Sequence, residues 1–298
     1  MFRRTAVEPT ALSTYERFAA IRGWFGFSQG RVLAELPESW VQLVYEQVSK
    51  WPDGWEKASA RELLRKLKTH ALVNCATPYD PKLEWIANAS LAQAAGAIDD
   101  AVARDSTSGL QDLLTYLNGL EHAHTEIITH NVDGFATACR RPLEWARAAV
   151  IVDPFFDPTR KQNGELLAQL VRWSGEGRCR SLEVYARHQG LLERHFSATR
   201  CREACQSAIR RYAVGGAATL AYVALDDPEK KLHRRMLLTE RVGLGIDYGF
   251  KLDPRRRSEV TILAEETRQE MINDFVDGRH GLKEVFRVYG VNPPVPAG

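Results

Sequence analysis

Ala148-Ala149-Val150-Ile151-Val152-Asp153 is an unbroken apolar run closed by an acidic residue, with Pro154 behind it. A strand with one wet face alternates apolar and polar side chains. A short run without alternation predicts a strand buried on both faces, as in a sheet with helices above and below. Working outward, residues 165–173 read as helix, 181–186 as strand, 197–212 as helix and 218–225 as strand. Asp226-Asp227-Pro228 is a turn. Residues 232–239 and 242–246 read as two further strands, and 260–276 as a last helix. Strands interleaved with helices predict a mixed sheet covered by helices. Pro293, Pro294 and Pro296 mark a loose tail.

Before this region the pattern is helical. Ser13-Thr14-Tyr15-Glu16 and Ser59-Ala60-Arg61-Glu62 have the form of capping boxes. Pro37 stands where a helix can begin, and Trp40, Val41, Val44, Tyr45 and Val48 then share one helical face. Trp51-Pro52-Asp53-Gly54 breaks that helix. Leu63, Leu64 and Leu67 follow the second box. Pro81 opens a helix that an Ala-rich run carries to about Arg104. After a break at 106–109, residues 110–120 are helical again. The expected fold class is α+β: a helical N-terminal half, residues 1–135, that engages a protein partner, then an α/β domain over 146–290. The join falls between 125 and 146. Trp24, Trp40, Trp51, Trp55 and Trp85 are expected in the helical core.

The bulk numbers bound the function. The chain has 298 residues, 44% hydrophobic and 26% charged, ordinary for a folded protein. With 40 basic and 38 acidic residues the net charge is +2, which argues against wholesale wrapping in nucleic acid but leaves room for a local basic patch. Five cysteines, an odd number, imply reduced thiols and a cytoplasmic location. Met1-Phe2-Arg3-Arg4 leads into no apolar segment, and no window is apolar enough to cross a bilayer, so no integral membrane role is expected.

Leu232-His233-Arg234-Arg235-Met236-Leu237-Leu238-Thr239-Glu240 carries the chemistry. On a strand, residues two apart share a face, so His233 and Arg235 would stand side by side. A guanidinium fork next to an imidazole suits a phosphate group.

At these residues the chain resembles the phospholipase D-like superfamily, whose motif is His-x-Lys, four residues, then Asp, with a Gly-rich element beyond. His233, Arg235 and Glu240 occupy the motif positions. Gly245-Ile246-Asp247-Tyr248-Gly249-Phe250 stands for the downstream element, and Ile151 to Asp157 for an early core strand with an acidic end. Lys is replaced by Arg and Asp by Glu. The His-x-Arg pair before a Gly-rich, Asp-containing stretch is similar to the degenerate, inactive phospholipase D-like C-terminal domain of MIT-domain proteins. The resemblance spans about 146–276. It implies a phosphate-binding site at His233, Arg235 and Asp247, and a homodimer. If the motif is active, His233 is the nucleophile, Arg235 the oxyanion clamp and Glu240 the orienting carboxylate of a metal-independent phosphodiesterase.

His122 and Glu126 would share a helical face, but that spacing is common, and no metal is expected. Cys201 and Cys205 lack a second ligand pair for zinc. Gly215-Gly216 and Gly243-Leu244-Gly245 do not match a nucleotide fingerprint, so no cofactor is expected. Arg255-Arg256-Arg257, and the arginines 200, 202, 210 and 211, are candidate nucleic-acid contacts. The expected function is a binding or scaffold protein for a phosphate-bearing ligand such as nucleic acid, with an accessory role in bacterial defence expected by analogy of fold. The alternatives are a homodimeric nuclease and a peripheral phosphoinositide binder.

Overall fold

The computed structural model describes residues 1–75, 77–105, 110–120, 125–212, 219–275 and 277–290. The chain divides into two units, Met1–His124 and Thr125–Gly298. The class is α+β with a mixed sheet.

The N-terminal unit is not helical throughout. It holds a five-stranded parallel sheet formed by β1 (Arg3–Val7), β2 (Arg31–Glu35), β3 (Leu72–Asn74), β4 (Asp100–Ala103) and β5 (Gln111–Asp112), in the order β3-β2-β1-β4-β5. Neighbouring residues serve opposite faces. Val7, Leu33, Leu72 and Val102 join Phe18, Trp40, Val44, Leu64 and Leu67 in one core. Ala6, Ala34 and Ala101 join Ala89, Ala92 and Ile98 in another. These strands are only two to five residues long, so their period is hidden. The helix expected to reach Arg104 stops at Ala94, because Gly96 takes a left-handed φ of 68° and turns the chain into β4.

Helix starts also shift. Thr14, not Ser13, caps the helix Tyr15–Ala20 by accepting from the Arg17 amide. Ser59 lies inside a helix that runs Trp55–His70. The helix Trp40–Ser49 buries Trp40, Val44 and Val48, as their spacing predicts. Trp40 Nε1 donates to the Val7 carbonyl at 2.6 Å, tying that helix to β1. Trp55 is not core: it is 66% exposed at the first turn of its helix.

The C-terminal unit is an eight-stranded sheet. Its strands are β6 (Thr125–His130), β7 (Ala148–Val152), β8 (Ser181–Arg187), β9 (Thr219–Asp226), β10 (Met236–Thr239), β11 (Gly243–Ile246), β12 (Asp253–Ile262) and β13 (Lys283–Tyr289). The order is β13-β9-β8-β7-β10-β11-β12-β6. β7, β8 and β9 are parallel, and the remaining pairings are antiparallel. Val150, Val152, Tyr185, Val223, Met236 and Leu238 pack on Met271 and Phe275 of the helix Glu265–Phe275. The intervening Ile151, Val184, Tyr222 and Leu237 are buried too, so β7 has both faces covered. Helices Lys161–Glu176 and Ala198–Tyr212 match the expected periodicity.

Residues 260–262 close β12 before the last helix begins at Glu265. Glu126, read as a helical partner of His122, sits on β6; His122 and Gly215-Gly216 lie outside the described residues. The five cysteines are free and buried. Among the described residues no helix is long and apolar enough to cross a membrane.

Candidate functional site

The topology gathers one rim of the C-terminal sheet. Parallel β7, β8 and β9 all end there, at Val152, Arg187 and Asp226. β10 starts there, since Met236 pairs with Val152. β11 ends there, and the first half of β12 runs past it to pair Asp253 with His130. Carboxyl ends of parallel strands are where open α/β sheets place ligands, because the loops diverge and leave a crevice.

Asp153 organises the rim. Its carboxylate accepts from the amides of Phe155 at 2.9 Å and Phe250 at 2.8 Å, and lies 4.0 Å from the Arg235 guanidinium. Burial pushes this carboxyl above the usual carboxylate range, while the two amides and Arg235 pull it back. Gly249, at φ 75°, brings the loop after β11 against it. Thus the three segments singled out in sequence, around Asp153, Arg235 and Gly249, meet in space.

Asp227 does the same for the loop before β10. It is buried and accepts from the amides of Lys231 at 2.8 Å and Leu232 at 2.9 Å, and from Arg187 Nε at 3.1 Å. Burial pushes the Asp227 carboxyl up, but the Leu232 and Lys231 amides and the Arg187 guanidinium outweigh it and hold the group low. Those bonds draw residues 231–235 off the strand expected over 232–239, so β10 begins only at Met236.

Above these carboxylates lies a basic and aromatic surface. Phe155 is 62% exposed, and its ring centroid lies 5.6 Å from the Arg187 guanidinium carbon and 5.1 Å from that of Arg235. Arg235 also donates to the Asp247 carbonyl at 2.5 Å. The next residue, the exposed Tyr248, carries Arg256 over its ring at 5.3 Å. Arg255 and Arg257 are exposed beside it on β12. Asp253 lies within 4.0 Å of Lys251, Arg255 and Arg256. Beneath, His130 is fully buried. Its Nδ1 donates to the Lys251 carbonyl at 3.0 Å and its Nε2 accepts from the Ser258 hydroxyl at 2.6 Å; burial holds its pKa below the ordinary value. On the other side of Phe155 a cavity of about 360 Å³ opens, edged by Arg160, Arg187 and Lys230 as well as Asp157, Glu193 and Asp227.

The sequence-derived residues distribute as follows. Arg235, Asp247 and Arg256 meet at this rim, with Asp247 contributing its carbonyl. His233 is exposed, and its Nδ1 donates to the Lys231 carbonyl at 2.7 Å. It edges a second cavity of about 220 Å³, with Met236, Met271, Phe275 and His280. His233 and Arg235 therefore engage different surroundings. Glu240 stands past the far end of β10, where it accepts from the Arg147 amide at 2.8 Å. Phe155, Arg187, Asp227 and Tyr248 were missed as site residues. Each lies within three residues of the carboxyl end of a strand, which is the signal that finds them once strand direction is known.

The C-terminal unit is thus a mixed, helix-covered sheet with a rim of guanidinium groups and exposed rings. No family model and no curated relative matches the chain. Among solved structures, TrmBL2, an archaeal chromatin protein reported to show a novel mode of DNA binding, is similar at 15% identity with a TM-score of 0.32. The match covers 58% of each chain, so this chain spans less than two thirds of that one. At that TM-score the likeness assigns neither fold nor function.

Proposed function

We propose that the C-terminal unit is a degenerate phospholipase D-like domain that binds single-stranded nucleic acid along this rim without cleaving it. The observation that carries the proposal is the exposed Phe155 ring with Arg187 and Arg235 on it, continued through Asp247 to the Tyr248–Arg256 pair. Interleaved guanidinium groups and rings suit a single strand: the cations meet phosphates, and each ring offers a face for a base that a duplex keeps stacked. The nearby carboxylates Asp153 and Asp227 are occupied by backbone amides. The convergence of Asp153, Arg235 and Gly249 supports the family reading.

Binding is favoured over phosphodiester cleavage by the placement of His233. A phospho-histidine step needs nucleophile and clamp on one phosphoryl group. Here Arg235 turns to Phe155 and Asp247, whereas His233 bonds Lys231.

The test is fluorescence anisotropy with labelled single- and double-stranded oligonucleotides, on wild type, Arg235→Ala and Arg256→Ala, at several salt concentrations with EDTA. Tighter binding to the single strand, weakened in both variants, is expected. Equal affinity in all three proteins, or tighter binding to phosphoinositide vesicles than to any oligonucleotide, overturns the proposal. Metal-independent cleavage lost in His233→Ala establishes the nuclease instead.

A further inference from the structure

The N-terminal unit has a separate feature that the rim does not use. Tyr15, at the start of the helix Tyr15–Ala20, and Trp55, at the start of the helix Trp55–His70, place their ring centroids 4.8 Å apart at 72°. Trp51, in the preceding turn, joins them around a cavity of about 360 Å³, whose mouth also carries Asp53 and Glu56. Trp51 is anchored from below, with Phe18 edge-on at 6.4 Å. Trp55 is 66% exposed, a large apolar face that packing within this unit leaves open.

Aromatic faces converging under carboxylates attract cations, through the ring quadrupole and direct charge. The kind of cation follows from the acceptors. The Trp51 carbonyl and Asp53 Oδ1 each already accept from the Lys57 ammonium at 2.9 Å. A primary ammonium needs up to three acceptors for its N–H groups, and these two already serve Lys57. A quaternary ammonium has no N–H to satisfy. Its methyl groups carry the charge and pack on ring faces.

We propose that Tyr15, Trp51 and Trp55 form an aromatic cage for a quaternary ammonium group, with the Glu56 carboxylate beside it supplying negative charge. The group comes either from a free choline-like molecule or from a trimethylated lysine side chain.

The experiment is isothermal titration of the full chain with tetramethylammonium, choline and 3,3-dimethyl-1-butanol, the neutral carbon isostere of choline. A trimethyllysine peptide and its unmethylated counterpart form a second pair. The cations are expected to bind about tenfold or more tightly than the neutral isostere. Binding is lost in Trp55→Ala and Tyr15→Ala and kept in Tyr15→Phe. Choline without the peptide identifies a small-molecule ligand; the methylated peptide binding more tightly identifies a side chain. Equal binding of choline and its isostere together with equal binding of the two peptides, or no saturable heat from any cation, overturns the proposal. These comparisons use wild-type protein, so an unstable variant does not obscure them.

Discussion

Gly249 leans on Asp153 so closely that a methyl group between them has no room: a Cβ at Gly249 would fall 2.3 Å from Asp153 Oδ2 and 2.7 Å from Arg235 Cδ. The same glycine has φ 75°. Two independent constraints, backbone hand and contact distance, therefore demand glycine where the loop after β11 meets the end of β7.

Gly249→Ala is expected to destabilise the protein by about 2–4 kcal/mol, combining left-handed strain with an overpacked contact. Urea unfolding measures it. In an Asp153→Ala background the cost falls, because the contacting oxygen is gone; an unchanged cost would mean the strain is backbone alone.

Asp153 makes stability depend on pH. Its folded pKa is raised, chiefly by burial, so the native state holds the proton more tightly than the unfolded chain. The stability this contributes is fully present below the unfolded value and is lost as pH rises through the folded value. Asn cannot titrate. The stability of wild type relative to Asp153→Asn should therefore rise as pH falls from 7 toward 4, read from paired urea titrations. A flat difference would rule out the raised pKa.

In the Arg187–Asp227 pair the carboxylate is fully buried and the guanidinium partly so, with side chains 0% and 12% exposed. Removing the cation leaves a buried carboxylate held by amides alone. Arg187→Ala is expected to cost about 3 kcal/mol, and the Arg187→Ala, Asp227→Asn double variant less than the sum of the singles. Thermal melts of the four proteins give the coupling.

Tyr248 and Arg256 should separate stacking from charge. Tyr248→Ala is expected to cost about 1–3 kcal/mol of single-strand affinity with little change in salt dependence. Arg256→Ala should flatten the log–log salt plot by about 0.7, the share of one phosphate contact on a single strand. Anisotropy titrations at four salt concentrations distinguish the two; identical salt slopes in wild type and Arg256→Ala would remove Arg256 from the interface.

Much of the C-terminal unit was legible in the chain. The run at 148–152 announced β7 as a strand buried on both faces, because absence of alternation means absence of a wet face. Helical spacing found Trp40–Ser49, Lys161–Glu176 and Ala198–Tyr212, where ten or more residues repeat the period. Asp226-Asp227-Pro228 carried its turn in its composition. These signals are local, set by backbone preferences and one buried face.

Other features depended on partners distant in the chain. β1 to β5 are too short to show a period, and β1 to β4 are strands because each pairs with a neighbour far along the sequence, as Arg3 does with Arg31 and Thr5 with Asp100. β12 carries three successive arginines, and its last residues, 260–262, read as the start of the final helix; pairing with β6 and β11 makes it a strand. His233 and Arg235 looked like neighbours on one strand face. The Asp227 carboxylate, reaching the Lys231 and Leu232 amides, pulled that segment off the strand and parted them. The rim exists because three parallel strands end together and three antiparallel ones fold back beside them. That coincidence belongs to chain topology, and residue spacing carries no trace of it.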